Sequence, residues 1–358
     1  MAPFNIETIL IVSTIVQNCH ICTHPLIKVK HKWKVSLVSF SRSCLRKQST
    51  ELAGTLAQIL AAETRTGGTS MIYRMLALNI DGTIVNEQGK IAKEVKEAIE
   101  YVKDKGVHVT LVTSRSFPSA KKVAKALKID APIVTHQGAF IAADMDEPIY
   151  VNKISENVTY EVVQFLERFT ARIHIVHENF SVMNKSNANS KALGKMTWQR
   201  ESRFIYSKQF VDVVSDYLLE NPVATPKIEV ELETSKDVED LQLALNGMYG
   251  ELDVIKTSPR KVDIVPKGVS KLRGLLYLSE KLGLKKEQIA MVGTGLDDKD
   301  ILEWCGLGAA MGNSSSEVKK SADWITRAGE QHGLVYFIME LFRKQQPIEF
   351  LKKMNVIK

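Results

Sequence analysis

From Met71 onward, the hydrophobic positions follow two rhythms in turn. MLALNI (75–80) reads as a continuous apolar strand, the kind buried on both faces of a parallel sheet. Ile91, Val95, Ala98, Ile99 and Val102 then recur at helical spacing, and Gly106 follows as a stop signal. VHVTLVTS (107–114) is the next strand, PSAKKVAKALKI (118–129) the next helix, and PIVTHQG (132–138) a third strand. Strand and helix alternating at this spacing predict a doubly wound α/β sheet.

Between about 150 and 260 the rhythm changes. ENVTYEVVQFLERF (156–169) and KQFVDVVSDYLLEN (208–221) read as helices, while RIHIVHEN (172–179) and KIEVELE (227–233) read as strands that alternate apolar and polar residues. Such alternation predicts an α+β unit whose sheet has one solvated face. At KVDIVP (261–266) the first rhythm returns. A helix is expected from near Ser270, then the strands IAMVG and LGAAMG, and a last helix around GLVYFIMELF. The expected organisation is a core domain in two segments, 71–150 and 260–358, with a cap domain, 151–259, inserted between them.

Residues 1–70 fit neither rhythm. CHICTH (19–24) offers Cys19, His20, Cys22 and His24 as metal ligands, but a structural zinc site needs two ligand pairs, and His31 with Cys44 makes a poor second one. No secretory signal is expected, because no basic residue precedes the apolar ILIVSTIV (9–16). The Gly67-Gly68 pair lies just before Met71, where its codons would read as a ribosome-binding site. Translation is therefore expected to start at Met71, which would make residues 1–70 an over-extended frame or a poorly structured extension.

Charge changes little once it is divided by region. Of the formal net charge of +7, residues 1–70 carry +5, with 8 Lys/Arg against 3 Asp/Glu. The rest of the chain is close to neutral, which gives no electrostatic footprint for nucleic acid. ILIVSTIV is far short of the roughly 20 apolar residues that cross a membrane. Cys305 is the one cysteine after residue 70, as expected of a chain in a reducing compartment such as the cytoplasm.

In an open parallel sheet, ligands sit beyond the carboxyl ends of the strands. Four such ends here carry chemistry: Asn79 to Thr83, Thr113-Ser114-Arg115, Lys271, and GTGLDD (293–298). A hydroxyl and a lysine suit phosphoryl oxygens, and several carboxylates suit Mg²⁺, which takes oxygen ligands. Gly82 and Gly295 let backbone approach a ligand closely. Each element alone has a plainer reading: a surface lysine, a helix cap at Ser114 or Ser116, an acidic pair at a helix start. Their appearance at successive strand ends is what carries the signal.

These stretches together resemble the haloacid dehalogenase-like (HAD) superfamily, and within it the Cof-type phosphatases with a type IIB cap. LNIDGTI stands where that family has its nucleophile loop, and LVTSRS at its phosphate-binding hydroxyl and following arginine. VPKGVSKLRGL holds the motif lysine, VGTGLDDKDIL the acidic metal loop, and GAAMGNSSSEVKKSADWIT a further signature. The resemblance spans nearly all of 71–340. It implies a Rossmann-like doubly wound parallel sheet with an inserted α+β type IIB cap, and hydrolysis of a small phosphorylated metabolite with Mg²⁺. The implied catalytic positions are Asn79, Asp81, Thr113 and Lys271. The implied metal ligands are Asp81, Asp297 and Asp298, and the implied substrate contacts are Gly82, Thr83, Ser114 and Arg115. No nucleic acid or membrane partner is implied.

The sequence departs from the family pattern where the reaction occurs. The family attacks phosphorus with an Asp, and here that position is Asn79, whose amide is a poor nucleophile. The family metal loop reads Gly-Asp-Gly-x-Asn-Asp; here Thr294 replaces the first Asp and Asp297 the Asn. THQGAF stands where Asn-Gly-Ala is expected, with Gln137 in the Asn position. Removing carboxylates from a crowded site relieves repulsion, so the fold should tolerate both losses.

Three readings stay open. One is a catalytically impaired homologue with a weakened metal site. Another is an active phosphatase in which Asp81, Asp297 or Asp298 activates water directly. The third is a non-catalytic sensor or regulator of a phosphorylated ligand or a protein partner. A nucleotide-dependent dehydrogenase is a poor reading, because no glycine-rich fingerprint follows the first strand. In the cap, His174, His177, Glu178 and Asn184 are candidate substrate contacts, although such positions usually just form a solvated sheet face.

Overall fold

The computed structural model describes residues 72–185, apart from Glu87, and residues 206–344. The expectations for residues 1–70, including CHICTH and the start at Met71, fall outside these residues. Among the described residues, no helix is long and apolar enough to cross a membrane.

The apolar run predicted for the first strand folds as β1 (Met75–Leu78). Leu76 and Leu78 pack on one side of it and Met75 and Ala77 on the other, in two separate apolar clusters. That two-sided burial is why the run carries no alternation. Next comes α1 (Lys93–Asp104), which buries Val95, Ala98, Ile99 and Val102. The chain turns at Gly106 with φ +78°, a value that suits glycine. β2 (His108–Leu111), α2 (Phe117–Ala126) and β3 (Ile133–Thr135) follow.

β3 is shorter than the sequence implies. His136 and Gln137 take φ of +49° and +60°, so the strand leaves the sheet in a tight turn over His136–Gly138. Two further strands follow: β4 (Phe140–Ala142) folds back antiparallel on β3, and β5 (Pro148–Val151) antiparallel on β4.

A second sheet occupies the stretch where the rhythm changes. Its parts are α3 (Glu156–Leu166), β6 (Ala171–Val176), β7 (Phe180–Asn184), β8 (Ser207–Val211), α4 (Val214–Glu220), β9 (Lys227–Leu232), α5 (Ser235–Met248), β10 (Leu252–Ser258) and β11 (Lys261–Pro266). The strands run in the order β10-β11-β9-β6-β7-β8. The helix predicted over 208–221 is corrected here: its first part is β8, paired parallel with β7, and α4 starts only at Val214. Phe210, Val214 and Leu218 imitate helical spacing. Aromatic Phe210 and β-branched Val211 favour extended backbone, and the edge of β7 takes it up. Ile173, Ile175, Ile228, Val230 and Leu232 pack on α3, α4 and α5. Lys227, Glu229 and Glu231 alternate with the apolar residues of β9 and so point to the opposite face.

The chain then returns to the first sheet through α6 (Lys271–Lys281), β12 (Ile289–Gly293), α7 (Lys299–Trp304), β13 (Leu307–Ala310), α8 (Ser316–Lys320), β14 (Trp324–Ile325) and α9 (Gly333–Lys344). The order is β14-β13-β12-β1-β2, with every pairing parallel, and a bridge between Val112 and Val134 carries β3 alongside. The chain leaves β1 towards β2 and comes back beside β1 at β12. Such a switch in strand order opens a crevice at the strands' carboxyl ends.

Candidate active site

Asn79 is the first residue beyond β1. It is buried, and its N–H donates to Val292 O at 3.0 Å, which continues the pairing with β12. Its carboxamide turns into its own loop: Oδ1 accepts from Ile80 N at 2.8 Å and Nδ2 donates to Asp81 O at 3.3 Å. Gly82 has φ +70°, and a Cβ there would stand 3.0 Å from Thr294 Cγ2. Glycine thus lets this loop close on the one after β12, where Thr83 Oγ1 and Thr294 Oγ1 share a hydrogen bond of 2.6 Å.

The second loop follows β2. Thr113 is fully buried, and its Oγ1 accepts from Arg115 N at 3.2 Å. Arg115 holds Asp81 through two bonds, Nε to Oδ2 at 2.9 Å and Nη2 to Oδ1 at 2.6 Å. Ser116 occupies the N-cap position of α2 without a side-chain capping bond. The carbonyl of Ser114 accepts from Lys227, which reaches it from β9.

Lys271 opens α6 behind its cap, Ser270, whose Oγ accepts from Arg273 N. Lys271 Nζ lies 2.8 Å from both Asp297 Oδ2 and Asp298 Oδ1. Burial alone would depress its pKa, but the two carboxylates outweigh burial and raise it. Burial would raise Asp297, yet Lys271 and the amide of Gln137 hold its carboxyl low. Asp298 goes the other way, lifted by burial and the charge of Asp297 against the pull of Lys271. Its Oδ2 accepts from Thr294 N at 2.8 Å and Gly295 N at 2.9 Å.

Sequence reasoning missed the residues that join these loops to the second sheet. Gln137 Nε2 donates to both Asp297 Oδ2, at 2.8 Å, and Asp263 Oδ2, at 2.9 Å. Asp263 Oδ2 also meets Lys227 Nζ at 3.0 Å, and Lys227 meets Glu229 Oε1 at 2.6 Å. Burial and the charge of Glu229 push Asp263 up to about 6, against the pull of Lys227. These polar links, with the backbone between Arg115 and Ser114 and between Thr83 and Asp81, form a ring. It runs from Asp81 through Arg115, Ser114, Lys227, Asp263, Gln137, Asp297, Lys271, Asp298 and Thr294 to Thr83. The available signal was a lone carboxylate inside the apolar strand KVDIVP and the charged alternation of KIEVELE.

The cap candidates divide. Glu229 Oε2 accepts from His174 Nδ1 at 2.8 Å, which places His174 beside the ring. His177 stacks on Phe180 with ring centroids 4.4 Å apart and lies 3.3 Å from Glu178, which is paired with Lys153. Asn184 instead joins β7 to β6, accepting from Ile173 N and donating to Ala171 O.

Mg²⁺ takes near-octahedral oxygen ligands, usually one or two carboxylates with water and phosphate. Here Asp81 faces Arg115, Asp297 and Asp298 face Lys271, and the Thr294 hydroxyl faces Thr83. The structure does not bring Asp81, Asp297 and Asp298 together around one point: among the described residues, no group of three or more His, Cys, Asp or Glu is placed to hold a metal ion. As arranged, these residues do not fit the ion. Among the described residues, three sets of donors are left over once these pairs are made: the Thr113 hydroxyl, the guanidinium N–H groups of Arg115 beyond those on Asp81, and the third N–H of Lys271, which meets two acceptors.

Residues 76–338 match the family model for haloacid dehalogenase-like hydrolases. A Bacillus subtilis relative, the stress response protein YhaX, is 43% identical over 287 residues, covering 80% of this chain and 99% of its own length. The B. subtilis 5-amino-6-(5-phospho-D-ribitylamino)uracil phosphatase YcsE is 25% identical, covering 73% of this chain and 92% of its own. The solved structure of the HAD subclass IIB sugar phosphatase BT4131 superposes with a TM-score of 0.62 at 20% identity, over 75% of this chain and 99% of its own.

Proposed function

We propose, from the premise that this chain belongs to the haloacid dehalogenase-like hydrolase family, that it binds a small phosphorylated metabolite at the four-loop site and turns it over slowly or not at all. The observation that carries this reading is Asn79. It stands just beyond the end of β1 with its carboxamide bonded into its own loop, so no carboxylate occupies the position from which the family attacks phosphorus. An amide carries no charge with which to attack phosphorus. Asp81, the expected acid and base, is intact but held by Arg115.

Thr294 supports the same reading from across the site. The position that would supply a metal carboxylate carries a hydroxyl bonded to Thr83. This loss agrees with the poor fit of the site to Mg²⁺. The anion donors remain, at Thr113, Arg115 and Lys271. YcsE, named for a phosphorylated substrate, supports a small phosphorylated metabolite as the ligand class. A sensor or regulatory role is the second reading, favoured by YhaX, whose name describes a stress response rather than a reaction.

The test is phosphate release from a panel of sugar and nucleotide phosphates with Mg²⁺. The parent chain should show negligible turnover, Asn79→Asp should gain activity, and adding Thr294→Asp should increase it. Robust parent turnover abolished by Asp81→Ala would instead establish an active phosphatase with an altered mechanism.

A further inference from the structure

Lys227 opens β9, and its side chain is fully buried. Its ammonium has three N–H donors, and three acceptors meet it: Ser114 O and Glu229 Oε1, each at 2.6 Å, and Asp263 Oδ2 at 3.0 Å. No donor is left for a ligand. What the bonds accomplish is to tie β9 to the loop that carries Thr113 and Arg115. Gln137 makes the second tie. Both of its N–H groups point at carboxylates, Asp263 and Asp297, so the nitrogen and not the oxygen must face them. It is held at φ +60° between His136 and Gly138, also at positive φ, and such backbone persists only where surroundings impose it. Here they do: a Cβ on Gly138 would stand 2.1 Å from Ser270 O, next to Lys271. Both ties end on one atom, Asp263 Oδ2.

We propose that Lys227, Asp263 and Gln137 are positioning residues that couple the second sheet to the anion site. Through Ser114, Lys227 sets the loop bearing Thr113 and Arg115; through Gln137, Asp263 sets Asp297 against Lys271. The inference rests on the phospho-ligand reading above, because what the ties position are the donors assigned there to an anion. None of the three touches the ligand.

Two readouts on the full chain test it: calorimetric titration with inorganic phosphate, and hydrogen exchange of the backbone at 113–115 and 136–138. Lys227→Met, Gln137→Leu and Asp263→Leu should each weaken phosphate binding by about tenfold or more and speed exchange in both loops, since a small displacement of positioned groups is costly. Asp263→Asn should behave like the parent, because its amide oxygen can accept from both Gln137 and Lys227. Glu231→Gln, on the same face of β9 but outside the ring, should also match the parent. Parental affinity and exchange in Lys227→Met and Asp263→Leu would overturn the proposal, as would Asp263→Asn failing as badly as Asp263→Leu. If Lys227→Met does not fold, the Asp263 pair decides. If the parent binds no phosphate, the phospho-ligand reading falls, and loop exchange alone decides whether the sheet and the site are coupled.

Discussion

Two buried lysines, one in each sheet's territory, share their surroundings and differ by one hydrogen. Lys271, at the head of α6, faces Asp297 and Asp298 and, among the described residues, keeps an N–H with no acceptor. Lys227, at the head of β9, faces Asp263 and Glu229 and gives its last N–H to the carbonyl of Ser114. Burial alone would depress both, and in both the carboxylates outweigh it and raise the pKa. Charge and burial therefore cannot tell a ligand contact from a structural tie. The count of donors against acceptors separates them: Lys271 has a donor left over, as the proposed anion contact requires, and Lys227 has none.

The sharpest break in this comparison is Lys271→Met. It leaves Asp297 and Asp298 buried without their counter-charge, a loss worth about 3–5 kcal/mol when one partner of a buried pair is removed. Urea unfolding should show that loss, and titration should show phosphate binding abolished.

Acid should act next, through the seam beside Lys227. Burial, with the charge of Lys227 adding to it, lowers His136 from 6.5 to about 3. The folded state therefore holds His136 neutral while the unfolded state protonates it below 6.5, so stability falls as pH drops from 6.5 towards 3. Asp263 has the opposite sign: its pKa is raised to about 6, so its contribution is full below 3.8 and is lost as pH rises through 6. Unfolding free energies measured from pH 7 to 5 should decline in the parent, and the decline should shrink or reverse in His136→Leu.

The smallest effect on stability belongs to Arg115→Gln. Its partner Asp81 has a side chain 57% exposed, and such pairs contribute about 0–1 kcal/mol. The melting curve should hardly move while phosphate affinity drops, which separates a binding role from a structural one.

The fold was legible wherever one local pattern decided an element. The two-sided burial of β1 left an unbroken apolar run, and the buried stripe of α1 left its spacing. The loops at the ends of β1, β2 and β12 were legible for the same reason, since each is a short stretch of polar residues after a strand. What the sequence concealed was set at long range. Gln137 and Asp263 are 126 positions apart, and Lys227 and Ser114 are 113 apart. No periodicity marks such partners. The left-handed turn at His136 and Gln137 was hidden because it follows directly on the apolar run of β3 and glutamine does not announce positive φ, and β8 was hidden because apolar residues at helical spacing also suit an edge strand with a waiting neighbour.

Binding without turnover is the central claim, and phosphorus-31 NMR of the parent chain with phosphomonoesters and Mg²⁺ reads both halves in one sample. The account predicts that the resonance of a recognised ester broadens or shifts as protein is added, while no inorganic phosphate signal grows over hours. A phosphate signal that grows at a catalytic rate, and vanishes in Asp81→Ala, would contradict it.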